Sequence, residues 1–185
     1  MQNYKEVLAE VLIDSETLQA RVKELGAQIS ADYPDGDLLL ICILRGGVPF
    51  MVDLSRSITS QHKMDFMAVS SYGAGARESS RSARVTLDLQ MDISGQQVLL
   101  VEDIVDSGHT IASVLNMLKT RNPKTLRVCA LLDKPERREA QVNVDYLGFT
   151  IPNKFVFGYG LDLDEYYRNL PFIGVVDLEK YKPSV

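Results

Sequence analysis

Val98-Leu99-Leu100-Val101-Glu102-Asp103-Ile104-Val105-Asp106-Ser107-Gly108-His109-Thr110 is the stretch on which the fold turns. Residues 98–101 are uniformly apolar, the pattern of a strand covered on both faces. Residues 102–109 read as a polar connection. From Thr110 to Lys119, the apolar residues Ile111, Val114, Leu115 and Leu118 recur at helical spacing. Pro123 follows, and residues 126–132 form a second apolar run. Strand, helix and strand in this order make a βαβ unit, whose crossover is right-handed almost without exception.

The segments on either side extend the alternation. Residues 38–44 are a continuous apolar run broken by Arg45-Gly46-Gly47. Pro49 suits the first turn of a helix that continues through Met51, Val52 and Leu54 towards Ser60. Residues 15–30 carry Leu18, Val22, Leu25 and Ile29 at helical spacing behind a cap at Asp14 or Ser15. Pro34-Asp35-Gly36-Asp37 is a turn. Further strands are expected at 64–69, 144–149, 154–156 and 173–176. Residues 70–84, rich in serine, glycine, alanine and arginine, read as a long mobile loop of the kind that more often serves function than accident. The expected fold is α/β, a mostly parallel twisted sheet flanked by helices on both faces.

Composition bounds what such a chain can do. Its 185 residues, 45% of them apolar, suffice for one domain over 1–185. Against 20 lysines and arginines stand 25 aspartates and glutamates, a net charge of −5. That excess repels a phosphate polymer, so no nucleic-acid partner is expected. No apolar run reaches the roughly 18 residues of a membrane span, and residues 1–6 show no signal region. Cys42 and Cys129 lie in apolar runs and read as buried thiols of a reducing, cytoplasmic compartment. With His62 and His109, they do not make a spaced zinc site.

In an open parallel sheet, ligands bind beyond the carboxyl ends of the strands. Asp106-Ser107-Gly108-His109-Thr110 lies just before a helix, whose first amides and dipole attract anions. Ser107 and Thr110 add hydroxyl donors, and Gly108 permits close approach, so the segment is either a phosphate cradle or a polar helix cap. Glu102 and Asp103 stand beside it. Carboxylates accept hydrogen bonds from sugar hydroxyls and ligate magnesium, which suggests a ribose phosphate, unless the two are merely solvated. The chain has no G-x-x-x-x-G-K-[ST] loop and no G-x-G-x-x-G after the first strand, which disfavours a Walker-type NTPase and a dinucleotide fold.

Residues 101–110 resemble the PRPP-binding signature of phosphoribosyltransferases: an apolar strand, two acids, two apolar residues, then Asp-Ser-Gly-x-Thr. Leu44-Arg45-Gly46-Gly47 resembles that family's pyrophosphate loop, and Ser71-Tyr72-Gly73 the start of its mobile catalytic loop. Leu132-Asp133-Lys134-Pro135 and residues 148–159 resemble the purine-binding half of hypoxanthine-guanine phosphoribosyltransferases. Leu161-Asp162 and Tyr167-Arg168-Asn169-Leu170 follow in the family's order. The resemblance spans roughly residues 38–176.

It implies a type I phosphoribosyltransferase fold with a small hood made by the N- and C-terminal segments. It also implies Mg2+-dependent transfer of the phosphoribosyl group from PRPP to hypoxanthine or guanine, giving IMP or GMP and pyrophosphate. Asp106 would act as general base or acid on the purine. Glu102 and Asp103 would hold the ribose hydroxyls or, with Asp162, the metal, and Asp106, Ser107, Gly108, His109 and Thr110 would hold the ribose phosphate. Arg45, Gly46 and Arg168 would meet pyrophosphate, with a cis peptide between Leu44 and Arg45. Lys134 would donate to the 6-oxygen, Phe155 would stack on the purine, and Val156 and Asp162 would complete its pocket. Ser71 and Tyr72 would begin the closing loop. Leu163 stands where an aromatic is common in the family. A homodimer or homotetramer is implied. A xanthine-preferring relative and an RNA-binding regulator on the same fold are the alternatives, the second opposed by the net charge and the purine-half motifs.

Overall fold

The computed structural model describes residues 3–70 and 84–183. Its elements in chain order are α1 (Tyr4–Val7), β1 (Leu8–Ile13), α2 (Ser15–Asp32), β2 (Leu38–Leu44), α3 (Val48–Ser57), β3 (His62–Ser70), β4 (Arg84–Leu87), β5 (Gln97–Val105), α4 (His109–Lys119), β6 (Thr125–Asp133), β7 (Tyr146–Thr150), β8 (Val156–Phe157) and β9 (Ile173–Val176). A short 3-10 turn, Pro135–Arg137, lies between β6 and β7.

The main sheet has the order β4-β3-β2-β5-β6-β7, and all of its pairings are parallel except β3 with β4. The chain therefore winds from β2 outward to β3, then returns to β5 and winds the other way. The crevice between the carboxyl ends of β2 and β5 is the switch point, where an open sheet leaves room for a ligand. A second sheet, β1-β9-β8, is antiparallel and joins the two ends of the chain.

The apolar run of β2 is continuous because both of its faces are covered. Leu38, Leu40 and Cys42 pack with Leu18, Val22 and Leu25 of α2 and with Phe50 and Leu54 of α3. Leu39, Ile41 and Ile43 pack with Ile111, Val114 and Leu118 of α4 on the other side. Alternate residues of one strand thus belong to two cores. Asp14 caps α2, its Oδ1 accepting the Thr17 N–H at 2.8 Å, so Asp14 rather than Ser15 is the cap. Gly26 lets α2 approach α3, since a Cβ there would meet the Ser57 carbonyl carbon at 2.7 Å. Cys42 and Cys129 are free and buried.

Several boundaries differ from the sequence reading, for physical reasons. The segment 102–109 is not all connection: β5 runs on to Val105, because Glu102, Ile104 and Val105 keep pairing with Ala130, Leu132 and Asp133 of β6. Helix α3 ends at Ser57 rather than near residue 60, and α2 continues to Asp32. The strand expected at 154–156 begins only at Val156, because the Lys154 N–H turns back to Pro152 O at 2.7 Å. Strand β1 was not foreseen, since its largely exposed LAEVLI has no clean alternation and gains its place by pairing with β9. Residues 71–83 of the expected loop lie outside the described residues. Its ends pair directly, Ser70 with Arg84.

Asp65 fixes the return from that hairpin. Its buried carboxylate accepts the N–H groups of Phe66 at 2.8 Å and of Gln90 and Met91 at 2.9 Å. Hydrogen bonds to a charged group are worth more than neutral ones. Asp65→Ala is therefore expected to cost about 2 kcal/mol of stability, measured by urea unfolding, with amide exchange at Gln90 and Met91 accelerated more than elsewhere.

Candidate active site

The site is built where β2, β5 and β6 end. At the end of β2, the Leu44-Arg45 peptide is cis and is followed by Gly46 and Gly47. Gly46 lies directly against the Asp103 side chain, where a Cβ would collide with the carboxylate. Gly160, at φ +101, in turn packs its α-carbon on the Gly46 carbonyl. The loops 45–47 and 158–162 and the end of β5 at 102–103 thus meet with no room for side chains between them.

Glu102 and Asp103 occupy the last turn of the pleat before the loop. Burial pushes the Glu102 carboxyl well up, and the neighbouring Asp103 charge adds to this. Its Oε2 is buried with no hydrogen-bond partner among the described residues. Burial also raises Asp103, to about 6, against the opposing Ile104 N–H, which donates to Oδ1 at 2.7 Å, and the Arg168 charge. Two carboxylates desolvated side by side, one with an unused oxygen, are poised to accept hydroxyl donors or a cation. Burial disfavours both charges in the ligand-free state, and a ligand that supplies donors reverses that.

Asp106, Ser107, Gly108 and Thr110 line a concavity of about 140 Å3 together with Glu102 and Asp103, whereas the expected His109 is not among its lining residues. The cap of α4 is Gly108, at φ +87 with no side-chain cap bond, so Asp106 is not the cap. A Cβ on Gly108 would meet Ala140 O at 2.6 Å, so glycine is needed for packing as much as for approach to an anion. The Ser107 carbonyl accepts the Glu139 N–H at 2.9 Å and the Ala140 N–H at 3.0 Å, which buttresses the loop from outside. His109 turns its Nε2 towards Glu139 Oε2, at 2.8 Å.

A second cavity, of about 430 Å3, adjoins the first and shares Ile104 and Asp106 with it. Lys134 lines it, buried with its Nζ 3.7 Å from Asp106 Oδ2. Burial lowers the Lys134 pKa, opposed by Asp106. Arg137 Nε donates to the other Asp106 oxygen at 2.7 Å. Phe155, half exposed, and Val156, buried, form an apolar wall. Asp162 lies opposite, accepting the Glu165 N–H at 2.8 Å and pairing with Arg168 at 3.0 Å. Arg45 stands at the rim, 2.9 Å from Glu165.

The structure therefore gathers Arg45, Gly46, Glu102, Asp103, Asp106, Lys134, Phe155, Val156, Asp162 and Arg168 at one end of the sheet, with Ser107 and Gly108 on the adjoining loop and His109 and Thr110 in the first turn of α4. Ser71 and Tyr72 lie outside the described residues. Glu102, Asp103 and Asp162 do not assemble into a metal cage, and no group of three metal-binding side chains exists among the described residues. A magnesium ion, which needs only one or two carboxylates when substrate phosphates supply the rest, is compatible with the orphaned Glu102 oxygen and the Asp103 carboxylate.

Sequence reasoning missed Arg137, which pairs with Asp106, Glu165, which meets Arg45, and Tyr181, which lines the larger cavity. Each comes from a polar stretch with no periodicity, so no local signal marks it. Anchoring from behind was missed as well: Tyr159 Oη donates to Asp53 of α3 at 2.7 Å, and Gln19 of α2 donates to the same oxygen at 2.8 Å.

A doubly wound sheet with an acidic strand end, a phosphate-sized loop and an apolar cavity meeting at one aspartate defines a nucleotide-forming or nucleotide-binding α/β protein. Residues 12–164 match the phosphoribosyl transferase domain, and the chain belongs to that family. It is 50% identical over 178 residues to the hypoxanthine-guanine phosphoribosyltransferase of Mycobacterium avium, covering 93% of this chain and 87% of that one. It is 48% identical over 171 residues to the hypoxanthine phosphoribosyltransferase of Escherichia coli (strain K12), covering 91% and 96%. The crystal structure of a hypoxanthine phosphoribosyltransferase from Staphylococcus aureus superposes with a TM-score of 0.91 at 41% identity, covering 97% of each chain.

The raised Asp103 pKa makes a prediction for the ligand-free protein. The ordinary value is 3.8 and the folded value is about 6, so the folded state holds the proton more tightly than the unfolded chain. Burying this carboxylate then destabilises the fold fully above pH 6, and the cost fades as pH falls towards 4. Asp103→Asn, in EDTA, is expected to raise stability by about 3 kcal/mol at pH 7.5. The gain should shrink towards zero by pH 4, as read from denaturant midpoints across the pH series.

Proposed function

We propose that this protein transfers the phosphoribosyl group of PRPP to a 6-oxopurine, hypoxanthine or guanine, forming IMP or GMP and releasing pyrophosphate in purine salvage. The observation that carries this reading is the pair of adjoining cavities sharing Asp106. One has the size and donors of a ribose-phosphate site, and the other has an apolar wall facing a buried lysine.

The roles are those the family resemblance implies, and the chemistry of each group suits them. The amides before α4, with Ser107 and Thr110, hold the 5-phosphate. Glu102 and Asp103 accept from the ribose hydroxyls. Arg45, the Gly46 backbone and Arg168 take the pyrophosphate. Phe155 stacks on the base, and Lys134 donates to the exocyclic oxygen. An exocyclic amino group there would set donor against donor, which rejects adenine. Asp162, with Val156, frames the remaining edge of the purine.

In the reaction, the bond from the anomeric carbon to the pyrophosphate oxygen breaks and a bond to the imidazole-ring nitrogen of the purine forms. The transition state resembles an oxocarbenium ion, so position and charge, rather than covalent catalysis, lower the barrier. Asp106, held by Arg137 and Lys134, accepts the proton that leaves the ring nitrogen. Mg2+ bound by Glu102, Asp103 or Asp162 together with PRPP oxygens would neutralise the leaving group. The reacting atoms must be kept from water; that task is assigned to the segment that Ser71 and Tyr72 begin, which lies outside the described residues.

We also assign the β1-β9-β8 sheet as a hood over the larger cavity within one functional unit, 1–185. The two buried free thiols agree with a reducing, cytoplasmic setting, and no helix among the described residues is long and apolar enough to cross a membrane. A homodimer or homotetramer is the expected assembly, to be read by light scattering.

Incubation with PRPP, magnesium and each of hypoxanthine, guanine, xanthine and adenine tests the activity. Nucleotide is expected from hypoxanthine and guanine and not from adenine; no turnover with any 6-oxopurine overturns the reading. Asp106→Asn is expected to lower kcat about 100-fold or more while the Kd for PRPP changes within about threefold. Equal loss of both would make Asp106 a structural residue. Lys134→Gln is expected to raise the KM for hypoxanthine by at least about tenfold and to narrow the discrimination against adenine.

A further inference from the structure

The cations assigned to pyrophosphate are already in contact with a carboxylate of the same chain. Glu165 Oε2 lies 2.9 Å from Arg45 Nη2 and 3.3 Å from Arg168 Nη2. Arg45 belongs to the loop after β2, while Glu165 and Arg168 belong to the segment after β8, so one carboxylate oxygen bridges the two sides of the crevice. Gly160 O accepts from Arg168 Nη1 at 2.8 Å and leaves Nη2 to face the acids.

Glu165 is presented rather than buried. Its side chain is 59% exposed and that of Arg45 is 68% exposed. The backbone holds it in place: Asp164, Glu165 and Tyr167 have φ of 52°, 69° and 67°, and the Glu165 N–H is pinned to Asp162 Oδ2 at 2.8 Å. A tight turn thus delivers the carboxylate to the two guanidinium groups, although it gains no burial there. A carboxylate oxygen between two guanidinium groups offers them what a phosphate oxygen would. Exposed pairs of this kind are weak, so an arriving dianionic group can displace it.

We infer that Glu165 is an internal competitor for pyrophosphate. It occupies Arg45 and Arg168 while the site is empty, yields to the diphosphate of PRPP, and returns as pyrophosphate leaves. The inference rests on the reading of Arg45 and Arg168 as pyrophosphate ligands. Asp162 does not do the same task, because it meets Arg168 alone among the two cations and is held by the turn it caps. Glu165 therefore tunes how tightly the product pyrophosphate is held without touching the reacting atoms.

Calorimetric titration of the whole protein with magnesium pyrophosphate tests this on wild type, Glu165→Gln and Arg45→Ala, at about 50 mM and about 500 mM salt. Glu165→Gln keeps the shape and the backbone N–H bond and removes the charge. It is expected to tighten pyrophosphate binding about 3- to 10-fold at low salt, with the gap closing at high salt as the charges are screened. Arg45→Ala is expected to weaken binding and, combined with Glu165→Gln, to remove most of the gain. If Arg45→Ala weakens binding but Glu165→Gln leaves it unchanged or weaker, the competitor role is wrong and the pyrophosphate site stands. A gain that persists at high salt also overturns it, since that would be a change of shape rather than of charge. If Arg45→Ala binds pyrophosphate as wild type does, the site assignment itself fails, and the competitor role with it.

Discussion

The Asp103 carboxylate fills the space that any side chain at position 46 would need, and the Gly46 carbonyl in turn fills the space of a side chain at 160. This stack of close approaches sets the distance between the pyrophosphate loop, the acidic strand end and the hairpin after β8. The larger cavity, the rim cations and the turn carrying Glu165 all take their positions from it. Protein interiors do not tolerate a misfit of even one methyl group without cost, so the two glycines act as spacers of zero size. The anchoring of Tyr159 to Asp53 and Gln19 ties the same hairpin to α2 and α3, which carry the larger core.

Charge in the site is arranged in opposition. Buried acids lie at the floor, desolvated and short of donors. Arginines stand at the rim, both paired with the exposed carboxylate of Glu165. A buried lysine sits with Asp106 beside it. The floor is the least satisfied part of the site. Glu102, with an oxygen that meets no donor, is the clearest case. Such unfinished polar contacts are costly in the empty protein and are relieved by a ligand bearing hydroxyls, phosphates and a carbonyl oxygen. The excess of acids over bases therefore excludes a broad phosphate-binding surface and still accommodates a small phosphorylated sugar.

Much of the architecture was legible locally. The apolar runs 38–44 and 98–101 and the strand at 173–176 are continuous because both of their faces are buried, and Leu18, Val22, Leu25 and Ile29 mark the one buried face of α2; both patterns are written in single residues. The strands β1 and β8 were illegible or misplaced because they are held by pairing with β9 rather than by their own pattern. The end of β5 was misread because polarity normally signals a loop, whereas here pairing with β6 carries two acids inside a strand.

The sequence by itself determined the βαβ alternation, the two-sided burial of β2 and β5, and the signature that placed Glu102, Asp103 and Asp106–Thr110 together with Lys134, Phe155, Asp162 and Arg168. The alternation and the burial follow from local spacing, which neighbours in the chain suffice to express; the grouping of Lys134, Phe155, Asp162 and Arg168 with the acidic strand end is what the family resemblance implies. Only the tertiary structure decided that Gly108 rather than Asp106 caps α4, that Asp106 is gripped by Arg137 and Lys134, and that Glu165 reaches Arg45 across more than a hundred residues of chain. Those contacts depend on how separate loops approach one another over the end of a twisted sheet, and that distance is set by the packing of the two cores beneath them.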